Sequence, residues 1–283
     1  MKAERKLLLV EDYSAIGGIS LATAISVMSA LGIKYGSLPM QILSTQTEGF
    51  GKPQKVDLAD FSMQALAHWQ QIPDLNFATL LTGYLGSQRT CQLLIENIRK
   101  GKFKQIIVDP VLGDNGKLYP ELTPKDVAMM KELVATATVI TPNLTELGLL
   151  SGYEQKLTAT ASDADLARAI KTVISQSNPK LQVVVTGVRR GEQIGCCYLK
   201  QGQLHYCGQE YFAGHFYGAG DLFAASLAGL FNLGFTLPKA IELATTATHL
   251  AIAANKTSKQ EELRYGMDIS PALAYLIKQT IPK

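Results

Sequence analysis

Short apolar runs alternate along this chain with longer segments whose apolar positions recur at helical spacing. This alternation is typical of α/β proteins in which helices connect the strands of a mostly parallel sheet. The clearest strands are predicted at 6–11, 105–109, 137–141 and 181–186. Helices are predicted at 19–31, 58–71, 87–100, 123–135, 163–176, 219–233, 237–254 and 271–280. The pattern therefore predicts a doubly wound α/β fold, with a mostly parallel central sheet and helices on both faces.

One further stretch alternates with a period of two. It covers 193–212 and is interrupted by Lys-Gln-Gly-Gln at 200–203, which predicts a small antiparallel hairpin at the edge of the sheet. Sheets of this kind often form one continuous unit at a length of 283 residues. We therefore expect a single domain over 1–283.

Polar residues follow the apolar part of each of the four predicted strands. These residues are Glu11 and Asp12, Asp109, Thr141 with Asn143, and Thr186. Parallel strands end at the same edge of a sheet, and ligands of open α/β sheets bind beyond those ends. Any strand has to end in a polar loop, but four such ends, two of them with carboxylates, favour a shared site.

The composition narrows the choice of partners. The chain is 47% hydrophobic and 18% charged, and its formal net charge is +3. Because no long basic run is present, no nucleic-acid partner is expected. The apolar run at 7–10 is too short for a signal peptide or a membrane span, so we expect a cytoplasmic protein without a membrane partner. The four cysteines form no C-x-x-C pair, which favours reduced thiols over a zinc site: Cys91, Cys196, Cys197 and Cys207.

The stretch Gly-His-Phe-Tyr-Gly-Ala-Gly-Asp at 214–221 is the most informative segment. Its glycines allow a tight turn directly before a predicted helix, and a helix start offers unpaired N–H donors and partial positive charge to an anion. Asp221 lies in the first turn of that helix. The carboxylate is suited to take the proton of a substrate hydroxyl, and it is equally suited to cap the helix.

Two further segments carry groups that suit phosphate chemistry. Asp109 and Asp114 flank a Pro and a Gly at a strand end, where acidic oxygens can hold Mg²⁺ directly or through water. Asn143 and Glu146 follow the next strand, and their spacing is also that of an ordinary capping box. The sequence contains no P-loop, no G-x-G-x-x-G after a strand and no G-x-S-x-G, which disfavours P-loop enzymes, dinucleotide dehydrogenases and hydrolases with a nucleophile elbow.

Taken in order, these segments resemble the ribokinase-like superfamily and, within it, the pyridoxal kinases of vitamin B6 salvage. The most specific element is Phe-Tyr-Gly-Ala-Gly-Asp-Leu-Phe-Ala-Ala at 216–225, and the segments 81–84, 109–114 and 141–146 match further motifs. The resemblance implies a homodimeric kinase that uses ATP and Mg²⁺ to phosphorylate the 5′-hydroxymethyl group of pyridoxal, pyridoxine or pyridoxamine. Whether a monovalent cation assists is left open.

The resemblance also implies a role for each matching residue. Asp221 is the base, and the backbone N–H groups of Gly218, Ala219 and Gly220 form the anion hole. The residues implied to organise Mg²⁺ and the phosphates are Asp109, Asp114 and Glu146. Those implied to line the nucleotide path are Thr141, Asn143, Thr186, Phe212 and His215.

Three residues are implied to contact the acceptor, namely Ser14, Thr47 and Tyr84. The alternative is that Ser14 and Thr47 are turn residues and that Tyr84 only packs. The segments 12–20 and 45–51 differ from the commoner pyridoxal kinase forms. A hydroxymethylpyrimidine or sugar kinase with the same fold and base is therefore the nearest rival, and a B6-binding protein without turnover is a rival outside catalysis.

Overall fold

The computed structural model describes residues 6–153 and 157–281. Its helices and strands are, in chain order, β1 (Lys6–Ser14), α1 (Leu21–Ala30), β2 (Tyr35–Leu43), β3 (Lys55–Asp57), α2 (Ala59–Trp69), β4 (Phe77–Thr82), α3 (Gln88–Lys100), β5 (Gln105–Val108), β6 (Gly113–Asp114), β7 (Lys117–Leu118), α4 (Pro124–Val134), β8 (Val139–Ile140), α5 (Leu144–Ser151), α6 (Asp163–Gln176), β9 (Gln182–Arg190), β10 (Gln193–Lys200), β11 (Gln203–Glu210), α7 (Ala219–Asn232), α8 (Leu237–Asn255), α9 (Gln260–Leu263) and α10 (Ser270–Thr280). None of the helices in these two ranges is long and apolar enough to cross a membrane.

These elements belong to two compact units. Within the described residues, the first unit comprises 6–86, 102–104 and 212–281, and the second comprises 87–101, 105–153 and 157–211. The expectation of a single domain over 1–283 stays a prediction.

The first unit contains four strands in the order β4-β1-β2-β3. Strand β1 is parallel to both β2 and β4, while β3 pairs antiparallel with β2. Leu7, Leu8, Leu9 and Val10 of β1 are at most 1% exposed. A central parallel strand is covered on both faces, which explains why its apolar run does not alternate with polar residues.

Helix α7 packs against α1 and α8 in the same unit, and its small residues allow a close approach. A Cβ atom added at Gly229 would lie only 2.5 Å from Leu31 Cδ1 and 3.2 Å from Met28 Cε. Ten of the helix's side chains or glycines are buried. The start of α7 is therefore fixed by a tightly packed helix, as rigid positioning of a functional group requires.

The second unit contains five strands in the order β11-β10-β9-β8-β5. Strands β5, β8 and β9 are parallel, and β9, β10 and β11 are antiparallel. Gln201 and Gly202 connect β10 to β11 with φ values of 52° and 80°, as a two-residue hairpin turn requires. The predicted antiparallel edge hairpin and the predicted mostly parallel strand pairing are both confirmed.

The predicted helices and strands are confirmed as well, with bounds that differ by a few residues. Helix α6 begins and ends where the sequence predicts, whereas β1 extends three residues beyond the predicted end, to Ser14. The four cysteines are thiols without a disulfide bond, as predicted, and Cys91, Cys196 and Cys197 are buried.

Strand β2 was not predicted, and its sequence explains why. Pro39 interrupts the strand pattern, and proline is rare inside sheets because it cannot donate a ladder hydrogen bond. In the structure Pro39 lies opposite Glu11, where the pairing of β1 and β2 becomes irregular. The missing donor is therefore tolerated there. The other elements without a predicted range are β3, β4, β6, β7, α5 and α9, although the capping box at the start of α5 was recognised.

Candidate active site

The predicted site residues fall into two groups, one in each unit. The base group lies in the first unit and comprises Ser14, Thr47, Tyr84, Phe212, His215, Gly218, Ala219, Gly220 and Asp221. The carboxylate loops lie in the second unit and comprise Asp109, Asp114, Thr141, Asn143, Glu146 and Thr186.

Asp221 is the third residue of α7 and is half-buried. Its Oδ2 accepts a hydrogen bond from the backbone N–H of Ser20 at 2.9 Å. Burial raises the pKa of Asp221 above its usual value, and the Ser20 amide lowers it in part. A carboxylate with a raised pKa is a stronger base, and one oxygen held by an amide fixes its direction.

The cap of α7 bears on the alternative role of Asp221. The N-cap residue is Gly218, which adopts a left-handed conformation with φ of 84° and has no side chain to cap the helix. The N–H of Leu222 closes the first helical turn onto the Gly218 carbonyl at 2.9 Å. Since the described bond of the Asp221 carboxylate goes to Ser20 of another element, the geometry favours a role beyond capping.

The glycine at 218 is required by both conformation and space. A Cβ atom there would lie 2.9 Å from Ile19 Cγ2, in addition to the cost of a positive φ. The Ala219 N–H donates to the Phe216 carbonyl at 3.2 Å. The following N–H groups belong to the first helical turn, where helix geometry provides no intrahelical acceptor. These amides belong to Gly220 and Asp221 and are suited to an anion. The Ala219 N–H already has an acceptor, so the anion hole of Gly218, Ala219 and Gly220 stays a prediction.

Asp12 is a site residue that was predicted only as a polar strand end. It is 5% exposed, and its Oδ1 accepts the Ser20 hydroxyl at 2.6 Å. Its Oδ2 lies 3.5 Å from the hydroxyl of Ser14, which is predicted to contact the substrate that accepts the phosphoryl group. Burial is the main cause that raises the pKa of Asp12 to about 6, and the negative charge of Asp221 adds to it. The signal in the sequence was the acidic pair that ends the apolar run of β1.

The other predicted acceptor residues lie on two loops of the first unit. Thr47 is exposed on the loop between β2 and β3, and Tyr84 is half-buried just after β4. Two hydrogen bonds to Arg264 hold the Thr47 loop. Gln46 Nε2 donates to the Arg264 carbonyl, and Arg264 Nη1 donates to the Gly49 carbonyl, each at 2.9 Å.

Phe212 and His215 lie on the segment that leads into α7. The Phe212 ring stacks on His249 with centroids 5.6 Å apart, and Lys256 Nζ lies 4.8 Å from the Phe212 centroid. His215 Nε2 lies 3.2 Å from a carboxylate oxygen of Glu48, which belongs to the Thr47 loop. The segment that leads into the glycine turn therefore contacts the loop that carries Thr47.

Glu146 organises the carboxylate loops of the second unit. Its Oε1 accepts from Leu112 N at 3.0 Å and its Oε2 from Asn143 N at 2.8 Å. Asn143 completes a capping box, since its Oδ1 accepts from Glu146 N, and its Nδ2 donates to the Gly113 carbonyl at 2.8 Å. Burial raises the pKa of Glu146 to about 7, although backbone donors lower it in part.

The remaining residues of this group surround that core. Asp109 and Asp114 are half-buried, and both Asp114 oxygens accept from Asn115. The Thr141 hydroxyl is buried and has no hydrogen-bond partner, so it is available to a ligand or water. Thr186 is half-buried, and its N–H donates to the Pro142 carbonyl at 2.9 Å.

No three His, Cys, Asp or Glu side chains converge on a metal position within 6–153 and 157–281. A cage of that kind is not what Mg²⁺ requires, because the ion usually keeps several waters and takes one or two carboxylates plus substrate phosphates. The oxygens of Asp109 and Asp114 suit such a site. Both oxygens of Glu146 accept backbone amides, which places this side chain to hold the loop. Its predicted role toward Mg²⁺ stays a prediction.

The chain is similar to known proteins both as a member of a family and in its fold. Residues 16–266 match the model of the phosphomethylpyrimidine kinase family. The crystal structure of pyridoxal kinase from Lactobacillus plantarum superposes with a TM-score of 0.90 at 35% identity, and the match covers 97% of each chain. The ribokinase-like fold that the resemblance implies is thereby confirmed.

Two sequence relatives represent the two candidate activities. The hydroxymethylpyrimidine/phosphomethylpyrimidine kinase of Mycobacterium tuberculosis is 26% identical over 226 residues, which are 78% of this chain and 72% of that protein. The pyridoxal kinase of Dictyostelium discoideum is 27% identical over 175 residues, which are 59% of this chain and 55% of that protein. The chain thus aligns with about half the length of that pyridoxal kinase.

Proposed function

We propose that this chain, which belongs to the phosphomethylpyrimidine kinase family, is an ATP-dependent pyridoxal kinase that phosphorylates the 5′-hydroxymethyl group of pyridoxal, pyridoxine or pyridoxamine. One observation carries the proposal. A half-buried carboxylate with a raised pKa, Asp221, is held by an amide in the first turn of a helix that begins with a glycine turn. The match along 97% of a pyridoxal kinase of known structure supports the choice of acceptor.

The proposed reaction is a direct in-line transfer. Asp221 accepts the proton of the hydroxymethyl group, on the oxygen that the Ser20 amide does not occupy. The acceptor oxygen forms a bond to the γ-phosphorus while the bond from that phosphorus to the β–γ bridging oxygen breaks. Amides of the first turn of α7 stabilise the charge that develops on the transferred group.

The carboxylate loops are proposed to bind the phosphates of ATP, directly and through Mg²⁺. Mg²⁺, when bound, neutralises phosphate charge, and we assign its protein ligands to Asp109 and Asp114, directly or through water. Glu146 keeps the Leu112 and Asn143 amides in place and so fixes the loops that carry these ligands. The Thr141 hydroxyl and Thr186 remain proposed contacts along the phosphate path.

Oligomeric state and location are part of the proposal. A homodimer is implied by the resemblance, and the exposed apolar side chains of Ile42, Val56 and Phe61 in the first unit are suited to an interface. Sedimentation velocity at micromolar concentration will give a dimer, and a monomer would contradict this part. The expectation of a cytoplasmic protein stays a prediction.

A hydroxymethylpyrimidine kinase is the second candidate, because the mycobacterial relative carries that activity in its name and the family model is named for phosphomethylpyrimidine kinase. Competition decides between the two. With equal concentrations of pyridoxal and hydroxymethylpyrimidine and limiting ATP, we expect pyridoxal 5′-phosphate as the main product by chromatography. A preference for the pyrimidine would overturn the choice of substrate, and binding of both compounds without turnover would favour a non-catalytic B6-binding protein.

A further inference from the structure

Three residues from three separate elements of the first unit form a short hydrogen-bonded chain. Ser20 is its centre and immediately precedes α1. The Ser20 hydroxyl donates to Asp12 Oδ1 in β1 at 2.6 Å, and the Ser20 N–H donates to Asp221 Oδ2 in α7 at 2.9 Å. Asp12 and Asp221 are thereby linked through the side chain and the backbone of a single residue.

The backbone of Ser20 is in a conformation that side chains disfavour. Its φ of 50° and ψ of −126° lie in a region in which glycine is far more common. The conformation directs the Ser20 N–H toward Asp221. A glycine would adopt it at lower cost, but a glycine has no hydroxyl to donate to Asp12. The strained residue is therefore held by its bond to Asp12, which is 5% exposed and packed in place.

Neighbouring contacts hold the centre of these hydrogen bonds and lie beside one of their ends. The loop before Ser20 is held where Gly18 N donates to the Tyr265 carbonyl at 2.7 Å. The Ser14 hydroxyl lies 3.5 Å from the second Asp12 oxygen. Asp12 thus contacts both Ser14, which is predicted to bind the substrate, and Ser20, which orients the proposed base Asp221.

One neighbouring carboxylate, that of Asp221, influences the charge of Asp12. Asp221 of α7 contributes to the raised pKa of Asp12, after burial, while the hydroxyls of Ser20 and Ser14 oppose it. Glu11 precedes Asp12 in β1, and its side chain lies beside Gly83 after β4. Burial is the main cause of the raised pKa of Asp221. Because repulsion between two carboxylates is reciprocal, we infer that a charged Asp12 adds to this basicity.

We propose that Asp12 is a positioning residue for phosphoryl transfer, which acts on the base Asp221 through Ser20 and connects the base to the acceptor residue Ser14. The inference rests on the proposed function, in which Asp221 takes the proton of the acceptor. Nothing in the reaction requires Asp12 to contact the substrate. Its effect is on the direction and the basicity of another carboxylate.

Substitutions at Asp12 and Ser20 test the connection. Asp12→Ala and Ser20→Ala each break the 2.6 Å bond, and each is expected to lower the single-turnover rate about tenfold while the Kd for ATP stays within about twofold. Because both changes break the same contact, the double variant is expected to be no slower than either single variant. Independent, multiplicative losses would overturn the proposal.

The conservative variant Asp12→Asn distinguishes a positioning role of Asp12 from a role in protein stability alone. Asn at position 12 still accepts the Ser20 hydroxyl but carries no charge, so Asp12→Asn is expected to recover the rate to within about threefold of wild type at pH 8. The acid limb of its pH–rate profile is expected to move to lower pH by about half a unit to one unit, since Asp221 loses a neighbouring negative charge. An unmoved limb together with a lowered melting temperature would show a merely structural role.

A matched control is available in the first turn of α1, directly after Ser20. The Thr23 hydroxyl donates to the Gly18 carbonyl at 2.8 Å and touches neither carboxylate. Thr23→Val is expected to lower the melting temperature and to leave both the acid limb and the rate, within about twofold, in place. A shift of the limb in this variant as large as in Asp12→Asn would contradict the specific role of Asp12.

A measurement without turnover keeps this inference separate from the proposed function. Carboxylate ¹³C NMR of the enzyme without substrates is expected to give a lower apparent pKa for Asp221 in Asp12→Asn than in wild type. Equal values would overturn the inference. If neither vitamer nor pyrimidine is phosphorylated, the proposed function fails, while this titration still decides whether Asp12 controls Asp221.

Discussion

Helices α5 and α7 both carry an acid at their third residue, yet the two carboxylates are held in different ways. At α5, Glu146 accepts the amide of its own N-cap residue, Asn143, at 2.8 Å. At α7, Asp221 accepts the amide of Ser20, and the N-cap is a glycine. The first acid stabilises its own helix, whereas the second is oriented by a different element. A helix start that does not use its acid for capping leaves that acid free for chemistry.

The largest expected effect comes from removing the acid of α7. Asp221→Asn keeps the shape of the side chain but removes the base, so turnover is expected to fall by about 10²- to 10⁴-fold. The Kd for ATP, measured by titration calorimetry, is expected to stay within about threefold.

The control for this change is Asp126, which is also the third residue of its helix, α4, and accepts the Thr123 amide at 2.8 Å. Asp126→Asn is expected to cost about 1 kcal/mol of stability and to leave turnover unchanged. Retention of turnover in Asp221→Asn would remove the base assignment.

The next effect concerns the acid of α5. Glu146→Ala leaves the buried amide of Leu112 and the half-buried amide of Asn143 without their acceptor, which is expected to cost about 2–5 kcal/mol of unfolding free energy in urea titrations. The first-unit contacts of Asp221 do not depend on this side chain. A loss below about 1 kcal/mol would show that these amides find other acceptors.

The pH dependence of stability sharpens the same comparison. Folding raises the pKa of Glu146 from 4.5 to about 7, so the folded state binds this proton more tightly. The contribution of this bound proton to the free energy of unfolding is complete below pH 4.5 and is lost as the pH rises through 7. The cost of Glu146→Gln is therefore expected to be larger at pH 5 than at pH 8 in urea titrations.

Asp126 provides the opposite case for that measurement. Partial burial raises the pKa of Asp126, but hydrogen bonds from Thr123 outweigh burial and lower it. The cost of Asp126→Asn is accordingly expected to be smaller in acid than at neutral pH. The same trend in both variants would contradict the assignment for Glu146.

The smallest effect is expected at the glycine turn. Gly218→Ala adds a Cβ at φ of 84° and 2.9 Å from Ile19 Cγ2, and is expected to cost about 2 kcal/mol and to slow turnover. Gly152, which ends α5 with φ of 67° and no atom within 4 Å of an added Cβ, is the matched control. Gly152→Ala is expected to cost about 1 kcal/mol without an effect on turnover. Equal costs in thermal melts would show that the Ile19 contact is unimportant.

Local signals explain which parts of this molecule could be predicted. Helix α6 has a Ser162 cap, acids in its first turn and a regular apolar stripe, and its bounds agree with the prediction. The capping box of Asn143 and Glu146 spans three residues, so it too is visible in the sequence. Strand β2 was missed because Pro39 hides its pattern.

The contacts that orient the candidate base could not be predicted, because they join distant residues. Glu146 reaches Leu112 over 34 residues, and Ser20 reaches Asp221 over 201. No local preference indicates that Ser20 adopts a positive φ. The residue types at the site were visible in the sequence, whereas the network of Asp12, Ser20 and Asp221 required the folded chain.

The separation of Ser20 and Asp221 also has a consequence for biosynthesis. A nascent chain that has left the ribosome only as far as α6 contains Ser20 but lacks the acid that its amide orients. Fragments from incomplete translation or from proteolysis between the two residues would therefore lack an oriented base. The contact between Ser20 and Asp221 can form only after α7 has been synthesised and packs against α1.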